Sequence, residues 1–319
     1  MDSKNLVIDK NKESILEIIF IKYFRISDVI KWVLIAFSGF ILGISNFDIK
    51  INLISFLIFI FSSFFVFSFT FAINNFYDAD SDRENPRRKN VNAIASGKIS
   101  KKTGKVLNFF LAIIPMIICI FYKIELFILC FTFLFIVWSY SAPPFRLKGR
   151  PPTDVIWHFF GFVVAVLFGT YFSGSINTLI LLFALSLGIF STVGQLGNHY
   201  SDYNFDKSSG TKTFAVWIGL EKTKKTINVL TFIHLIFLLP LIFFYSLTYY
   251  ITIAILIIIP LLGLILLKPK RGTFPTKRCF VYYFTIVIGG AVYLSVLIYH
   301  ILLIFGRPTI ELLNFLGIS

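Results

Sequence analysis

The residues best suited to chemistry form two triplets, each an asparagine followed by two aspartates at intervals of four. The first acidic stripe is Asn74, Asp78 and Asp82, and the second acidic stripe is Asn198, Asp202 and Asp206. Because residues four apart share one face of a helix, each stripe presents one amide and two carboxylates in one direction. Mg²⁺ binds proteins through one or two carboxylates together with substrate phosphates. Two stripes that face each other therefore predict a site for a diphosphate held through metal ions.

The elements that carry the stripes are expected to be transmembrane helices. The chain has 319 residues, is 57% hydrophobic and 18% aromatic, and has a mean hydropathy of +0.83, values outside the range of soluble domains. Segments of about 17 to 25 apolar residues span a bilayer, and about nine such segments are predicted. They are Val29–Phe47, Ile51–Asn74, Val106–Tyr122, Leu126–Tyr140, Trp157–Gly174, Ile176–Leu196, Val229–Phe244, Thr248–Leu267 and Phe280–Phe305. The sequence thus predicts an all-α membrane protein, a bundle of about nine transmembrane helices.

The lysines and arginines determine the predicted orientation. The net charge is +14, and 27 of the 30 cations fall in residues 1–31 and in the connections after the second, fourth, sixth and eighth spans. Positively charged connections face the cytoplasm, and some also contact anionic membrane lipids. We therefore expect a cytoplasmic N-terminus and an outside C-terminus. Because the charge reflects orientation in the membrane, nucleic-acid binding is not expected.

No linker rich in Gly, Ser or Pro divides the chain. One polytopic domain over residues 1–319 is therefore expected, in which residues 1–28 form a cytoplasmic amphipathic arm. The stripes end the second and sixth spans, and the even number of crossings between them puts both on one side of the membrane. Functional residues concentrate on loops held by a rigid scaffold, and the longer connections are the cytoplasmic ones. The active site is therefore predicted at the cytoplasmic side.

The three cysteines and four histidines lack the short spacings of disulfide frameworks and zinc sites. They are Cys119, Cys130 and Cys279, and His158, His199, His234 and His300. No disulfide and no zinc site is inferred.

Each stripe alone has a second explanation as a solvated helix end, because acidic residues are common at membrane borders. Two stripes with one spacing on one side make function the better interpretation, since carboxylates beside hydrocarbon are costly and tend to be kept for function. Asp80 lies two residues from each partner, so it is expected to point away from the stripe. For Arg146, Lys148 and Arg150 the alternative to phosphate binding is a positive-inside anchor.

The two stripes and several shorter motifs together make the chain resemble the UbiA superfamily of intramembrane prenyltransferases. Asn74-Asn-Phe-Tyr-Asp78-Ala-Asp-Ser-Asp82-Arg83 is similar to the family's first Asn-x-x-x-Asp-x-x-x-Asp motif, and Asp202-Tyr-Asn-Phe-Asp206-Lys207 to its second, Asp-x-x-x-Asp. Shorter elements follow in family order: Ala95-Ser96-Gly97-Lys98-Ile99-Ser100, then Tyr140-Ser141-Ala142-Pro143-Pro144 with Arg146, Leu147 and Lys148, then Gly210-Thr-Lys-Thr213. The motifs are specific jointly rather than singly.

The resemblance implies nine transmembrane helices around a central cavity. It also implies Mg²⁺-dependent transfer of an isoprenyl chain from a polyprenyl diphosphate donor to a lipophilic acceptor. The implied metal ligands are Asp78, Asp82, Asp202 and Asp206, and the implied catalytic residues are these four with Lys148 and Tyr140. The implied diphosphate ligands are Asn74, Arg83, Arg146, Lys148, Asn198 and Lys207. For Tyr140, stabilisation of an allylic cation by the ring face and a packing role are both open.

Two places depart from the family pattern. Asn92 and Ala93 stand where many relatives have an Arg-Pro pair ahead of the Ser-Gly stretch, and His199 stands where many have an acid. Both places lie near the expected acceptor and diphosphate pocket, so they leave the identity of the acceptor open. His199 is a candidate for the base that removes a proton after alkylation, with a helix-end hydrogen bond as the alternative.

Relatives act on several acceptors, so a quinone-type aromatic, an ether lipid, a tetrapyrrole and a carotenoid all stay open. The alternative from a different class is a lipid or isoprenoid transporter or binding protein without transferase chemistry. A transporter predicts charged residues near the bilayer midplane on broken helices, whereas both stripes lie at one border of the apolar segments. Prenyl transfer is therefore the favoured interpretation.

Overall fold

The computed structural model describes residues 14–46 and 53–246, and positions 289, 290, 292–294, 296–301, 303 and 304. Every regular element in these residues is a helix, and seven helices are long and apolar enough to cross a membrane. These spans are Ile26–Ile44, Leu53–Glu84, Lys101–Tyr122, Ile124–Ser141, Thr153–Ser173, Thr178–Ser201 and Leu220–Leu241. The predicted all-α membrane protein is confirmed. The predicted eighth span, Thr248–Leu267, lies outside the described residues, and the ninth, Phe280–Phe305, is described only in part.

The helices follow one another with short connections. They are α1 (Ile15–Glu17), a π-helix (Ile18–Tyr23), α2 (Ile26–Asn46), α3 (Leu53–Glu84), α4 (Pro86–Lys89), α5 (Lys101–Tyr122), α6 (Ile124–Ser141), a 3₁₀ turn (Leu147–Gly149), α7 (Thr153–Ser173), α8 (Thr178–Ser201), α9 (Tyr203–Ser208), α10 (Phe214–Ile218) and α11 (Leu220–Ser246). The short helices α4, α9 and α10 lie in the connections that carry most of the charge.

Helix α3 is longer than the apolar segment that predicted it. The predicted span ends at Asn74, but the helix continues to Glu84 and so carries the whole first acidic stripe. Hydropathy marks only the apolar part of a helix, whereas backbone hydrogen bonds continue through polar residues. The helix ends one residue before Asn85, and the proline that follows disfavours helical backbone at Asn85. The result is a rigid support for the stripe outside the apolar core.

Helices α2 and α7 cross at close range because glycines leave room for the backbones. A Cβ atom on Gly39 would lie 1.9 Å from the carbonyl oxygen of Val166, and one on Gly169 would lie 1.7 Å from that of Ala36. Thr170 Oγ1 also donates to the carbonyl oxygen of Gly39 at 3.2 Å. Small residues and interhelical hydrogen bonds of this kind are typical of helix packing in membranes. This crossing fixes α7 in the bundle.

The N-terminal segment, predicted to be part of a cytoplasmic amphipathic arm, packs into the bundle at Tyr23. Tyr23 is fully buried, and its hydroxyl lies 3.0 Å from the carbonyl oxygen of Gly104 and 3.1 Å from Asn108 Oδ1. The Asn75 amide donates to the carbonyl oxygens of Lys22 and Tyr23, both at 3.0 Å. These bonds tie the segment to α5 and to the helix of the first stripe.

The outer surface and the short connections fit a membrane protein. Phe109, Phe121 and Phe131 are 61%, 87% and 52% exposed, which suits contact with lipid rather than water. At one end of the bundle, the Lys123 ammonium donates to the carbonyl oxygen of Gly174 at 3.4 Å. The α5–α6 and α7–α8 connections therefore share this end, and the basic connections lie at the other.

Candidate active site

A cavity of about 1230 Å³ lies at the end of the bundle that carries the basic connections. All six members of the two acidic stripes line it, together with Tyr140, Arg146 and Lys148. Four of the elements that contribute are α3, α6, α8 and the loop that contains the 3₁₀ turn. The structure thus brings together residues that lie more than a hundred positions apart in the sequence.

Asp78 is closely paired with cations of the protein. The Lys148 ammonium lies 2.5 Å from both carboxylate oxygens of Asp78 and donates to Asn74 Oδ1 at 2.9 Å. Arg146 Nη2 lies 3.4 Å from Asp78 Oδ1. Burial lowers the pKa of the Lys148 ammonium, and the attraction of Asp78 opposes this effect. Protein cations therefore already contact the oxygens of the first stripe that would bind a metal ion.

The loop that delivers Lys148 contains a strained residue. Arg146 has φ 42 and ψ 54, in the left-handed region, which costs a residue with a Cβ atom roughly 1–3 kcal/mol. Arg25 is the other described non-glycine residue with positive φ (56), and it also lines the cavity. Strain of this kind persists where the neighbouring structure holds it, and it clusters at functional sites.

The second acidic stripe spans a break between two helices. Helix α8 ends at Ser201, and Asp202 precedes α9. Helical hydrogen bonds nevertheless continue, because the amide of Asp202 donates to Asn198 at 2.9 Å and that of Asp206 to Asp202 at 2.8 Å. Burial raises the pKa of the Asp206 carboxyl, and the charge of Asp202 also raises it. A bound cation would favour the ionised carboxylate here.

The stripes fit Mg²⁺ bound through a substrate. Within the described ranges, no three His, Cys, Asp or Glu side chains stand close enough to hold a metal ion alone. Each stripe offers two carboxylates and an amide oxygen, which are the hard oxygen ligands that Mg²⁺ prefers. Mg²⁺ is usually held by one or two carboxylates plus phosphates and water rather than by an all-protein cage. Diphosphate oxygens would therefore complete the coordination.

Asn92 supports Asp82 from the loop that follows α4. Its Nδ2 donates to Asp82 Oδ2 and to the carbonyl oxygen of Asn75, both at 2.9 Å. Its Oδ1 accepts from the amides of Ile94 at 3.0 Å and Ala95 at 3.2 Å. This residue, one of the departures from the family pattern, is buried. A neutral amide thus fixes the position of the Asp82 carboxylate.

Two predicted diphosphate ligands lie outside the cavity. Arg83 pairs with Asp80 at 3.5 Å on an exposed face of α3, and the Lys207 ammonium lies over the ring of Tyr203 at 5.7 Å. Arg83 directly follows Asp82, and Lys207 directly follows Asp206. Because neighbouring residues on a helix point to different faces, neither side chain shares the face of its stripe. Asp80 is exposed and also pairs with Lys101 at 2.7 Å, which confirms that it points away from the stripe.

Other cavity-lining side chains were not predicted as site residues. They include Arg25, Arg88, His158 and Gln195. The arginines pair with carboxylates, Arg25 with Asp28 at 2.5 Å and Arg88 with Asp82 at 4.0 Å, and basic loops carry no periodic signal that would distinguish them. Gln195 does carry a signal, because it lies four residues before His199 inside an apolar segment.

Comparison with known proteins identifies the family. The model of the UbiA prenyltransferase family matches residues 33–286. A solved UbiA homolog from Archaeoglobus fulgidus bound to GPP and Mg²⁺ is 21% identical with a TM-score of 0.62, over 89% of this chain and 99% of that chain. A digeranylgeranylglyceryl phosphate synthase structure is 22% identical with a TM-score of 0.67, over 88% of this chain and 98% of that chain.

The fold likeness extends to more distant structures. A UbiA homolog from Aeropyrum pernix K1 is 15% identical with a TM-score of 0.62, over 86% of this chain and 98% of that chain. No curated protein matches the chain. At these identities, the solved structures show the shared fold.

Substitutions at Asn92 test its support of Asp82. Asn92→Ala should lower the free energy of unfolding by about 1–3 kcal/mol, because buried polar groups lose their partners. Asn92→Asp should lower it further, because a second carboxylate would repel Asp82. Adding Asp82→Asn to Asn92→Asp should restore part of the loss by recreating an amide and carboxylate pair. Thermal unfolding in detergent measures the order of stability among the variants.

The matched control is Asn90→Asp, an exposed position in the same loop, which should leave the unfolding temperature unchanged. Equal stability of Asn92→Asp and Asn92→Ala would contradict the proposed contact.

Proposed function

The chain belongs to the UbiA prenyltransferase family and is an integral multi-pass membrane protein, and we propose that it transfers an isoprenyl chain from a polyprenyl diphosphate to a lipophilic acceptor. The observation that carries the proposal is that both acidic stripes line one cavity together with Arg146 and Lys148. The fold neighbour bound to GPP and Mg²⁺ supports the class of donor and the metal. Family membership sets aside the transporter alternative.

The proposed roles follow from the charges that develop when an allylic carbon–oxygen bond breaks. Mg²⁺, when bound by the four aspartates of the stripes, supplies Lewis-acid neutralisation of the leaving diphosphate. Lys148 binds the diphosphate through its compact ammonium group, and Arg146 binds it through its planar guanidinium, which can donate two parallel hydrogen bonds. Asn74 and Asn198 add neutral oxygens. Tyr140 lines the same cavity, where an aromatic ring is suited to stabilise the allylic cation.

The inner part of the cavity is suited to the isoprenyl chain. Its lining includes Trp32, Phe71, Ile136 and Val137, and the Trp32 ring lies 4.7 Å from that of Phe162. These apolar side chains keep water from the carbocation, which would otherwise be hydrolysed. The acidic end of the cavity then holds the diphosphate, and the apolar end holds the chain.

Lys148 occupies oxygens of the first acidic stripe that a metal ion would also use. Its ammonium contacts Asp78 and Asn74, which are ligands that an Mg²⁺ ion would need. In a donor complex the Lys148 ammonium would bind diphosphate oxygens instead, which would leave the Asp78 carboxylate free to hold a metal ion. Donor and metal therefore bind together rather than separately.

The site is proposed to face the cytoplasm, within one polytopic domain over residues 1–319. The cations concentrated on the connections at the cavity end support this orientation through the positive-inside rule.

Asp78→Ala and Asp202→Ala should each remove nearly all turnover while the protein stays folded, because each strips ligands from a separate side of one cluster. The assay is Mg²⁺-dependent incorporation of label from geranylgeranyl diphosphate into a membrane lipid extract. Asp80→Ala is the matched control, because Asp80 is exposed on the same helix, and it should retain wild-type turnover. Near wild-type turnover of either site variant at saturating Mg²⁺ would refute the joint site.

Substitutions at Lys148 and Arg150 distinguish phosphate binding from a role as a positive-inside anchor in the membrane. Lys148→Ala should strongly raise the donor concentration needed for half-maximal turnover. Lys148→Arg should restore only part of the donor affinity, because a planar guanidinium does not replace a compact ammonium. Arg150→Ala should be nearly silent, since the exposed Arg150 guanidinium donates to the carbonyl oxygen of Pro144 at 3.1 Å. The measurement is the donor dependence of turnover in membranes, with expression level as the control. Small and equal effects of Lys148→Ala and Arg150→Ala would support the anchor.

Labelling of single cysteines tests the orientation. In a background without Cys119, Cys130 and Cys279, membrane-impermeant reagents applied from the cytoplasm should label Lys89→Cys and Ser209→Cys. Reagents applied from outside should label Gly174→Cys, at the opposite end of the bundle. External labelling at position 89 or 209 would reverse the proposed orientation and the side of the active site.

A further inference from the structure

Both pairs of helices around the cavity contribute polar and apolar side chains, such as Thr70 on α3 and Trp157 on α7, but three polar side chains of α7 and α8 have no role in holding the diphosphate. Helices α3 and α6 contribute Phe71, Ile136 and Val137 to the lining, whereas α7 and α8 contribute His158, Gln195 and His199. We call these last three residues the polar strip. Polar side chains that face a cavity within membrane-spanning helices are costly unless they serve function. The isoprenyl chain accounts for the apolar side chains of the lining but not for the polar strip.

Contacts behind the cavity wall hold the polar strip in place. His158 Nε2 lies 2.7 Å from Ser191 Oγ, and Gln195 Nε2 lies 3.0 Å from His199 Nε2. Gln195 therefore donates to His199, whose neutral ring then carries its proton on Nδ1. That nitrogen lies 3.8 Å from Asp154 Oδ2, so the proton faces the carboxyl. The strip is thus preorganised on a fixed backbone.

The Asp154 and His199 atoms that face each other have no hydrogen-bond partner among the described residues. Asp154 is 1% exposed and His199 is 8% exposed. Unsatisfied polar atoms at such depth are unfavourable and rare in folded proteins. Their position beside the cavity points to a role in orienting the His199 ring toward a ligand.

The depth of the strip matches the reacting end of the donor. Asn198 and Asp202 belong to the stripe that is proposed to hold the diphosphate. His199 adjoins Asn198, and Gln195 lies about one helical turn, roughly 5.4 Å, further into the bundle. The first carbon of the isoprenyl chain must lie just beyond the diphosphate. The strip is therefore placed where the nucleophilic end of an acceptor must be.

The electrostatics of the strip favour an uncharged acceptor. The amide and the neutral imidazoles offer donors and acceptors but no net charge. Among the cations that line the cavity, Arg25 pairs with Asp28 and Arg88 with Asp82. Arg146 and Lys148 are assigned to the diphosphate of the donor. An anionic head group at the strip would instead lie near the Asp154 carboxyl. A hydroxyl group fits better, because it both donates and accepts hydrogen bonds.

We propose that the polar strip is the acceptor subsite and that it selects a lipid whose reacting head is an uncharged hydroxyl. This inference rests on the proposed prenyl transfer. The hydroxyl oxygen forms a bond to the first carbon of the isoprenyl chain as the bond from that carbon to the diphosphate breaks. The hydroxyl proton leaves with the diphosphate, and the product is an ether. Gln195 and His199 hold the hydroxyl in line for this substitution.

Paired acceptors test the assignment. The purified protein in vesicles receives labelled geranylgeranyl diphosphate, Mg²⁺ and either a monoalkylglycerol or the same monoalkylglycerol bearing a phosphate. The wild type should prefer the uncharged lipid by about tenfold or more, the ratio that one well-placed buried hydrogen bond gives. Gln195→Leu and the closely isosteric Gln195→Met should each lower this ratio by about tenfold. Neither should change the donor concentration that gives half-maximal turnover.

A matched control and a charge variant sharpen the test. Thr192→Val changes a buried polar side chain on the same helix whose hydroxyl donates to the carbonyl oxygen of Gly188 at 2.8 Å, and it should leave the ratio unchanged. Gln195→Lys should shift the preference toward the phosphate-bearing lipid, because it adds a cation to the strip.

Transfer to the phosphate-bearing lipid at an equal or higher rate in the wild type would overturn the acceptor assignment and leave prenyl transfer standing. An equal preference for the uncharged lipid in Gln195→Leu, Gln195→Met and Thr192→Val would also overturn the acceptor assignment. Absence of transfer to both lipids and to a complete membrane lipid extract would refute the proposed function itself, and the acceptor assignment with it.

Discussion

Four carboxylates must converge on one cavity at the end of an apolar bundle, and the rest of the structure depends on meeting this electrostatic constraint. Charges of one sign in a partly buried site raise one another's proton affinity unless cations or hydrogen-bond donors compensate them. The bundle provides compensation on the side of α3, where Lys148 and Arg146 contact Asp78 and Asn92 donates to Asp82. On the opposite side, burial and Asp202 raise the pKa of Asp206. A cation bound near Asp206 would favour its ionised carboxylate.

The packing of the bundle serves the same requirement. Close crossing of α2 and α7 at Gly39 and Gly169 fixes the wall that bears His158, and the buried Tyr23 ties the N-terminal segment to α5. These contacts lie away from the reacting atoms. They are nevertheless what keeps two distant segments of the chain facing each other across one cavity.

The sequence predicted the helices more completely than it predicted the contacts between them. Hydropathy located the apolar helices because segment composition alone decides whether a helix suits a bilayer, and four-residue spacing gave the face of the first stripe. The same spacing did not reveal that α8 ends before Asp202, since a helix break leaves the residue types unchanged. The role of Asn92 was hidden because its partners Asp82 and Asn75 meet it only through tertiary folding. Gln195 was detectable in principle, as a polar residue sharing a face with His199.

Under the proposed function, both acidic stripes would hold one metal-bound diphosphate, and the Lys148 ammonium would move from Asp78 to a phosphate oxygen. The most direct measurement is a structure of the protein with Mn²⁺ and a non-hydrolysable thio analogue of a prenyl diphosphate, with metal positions taken from anomalous scattering. We expect metal signal between the stripes, within coordination distance of a carboxylate from each, and the Lys148 ammonium on a phosphate oxygen. Metal on one stripe alone, with Lys148 still bound to Asp78, would contradict this arrangement.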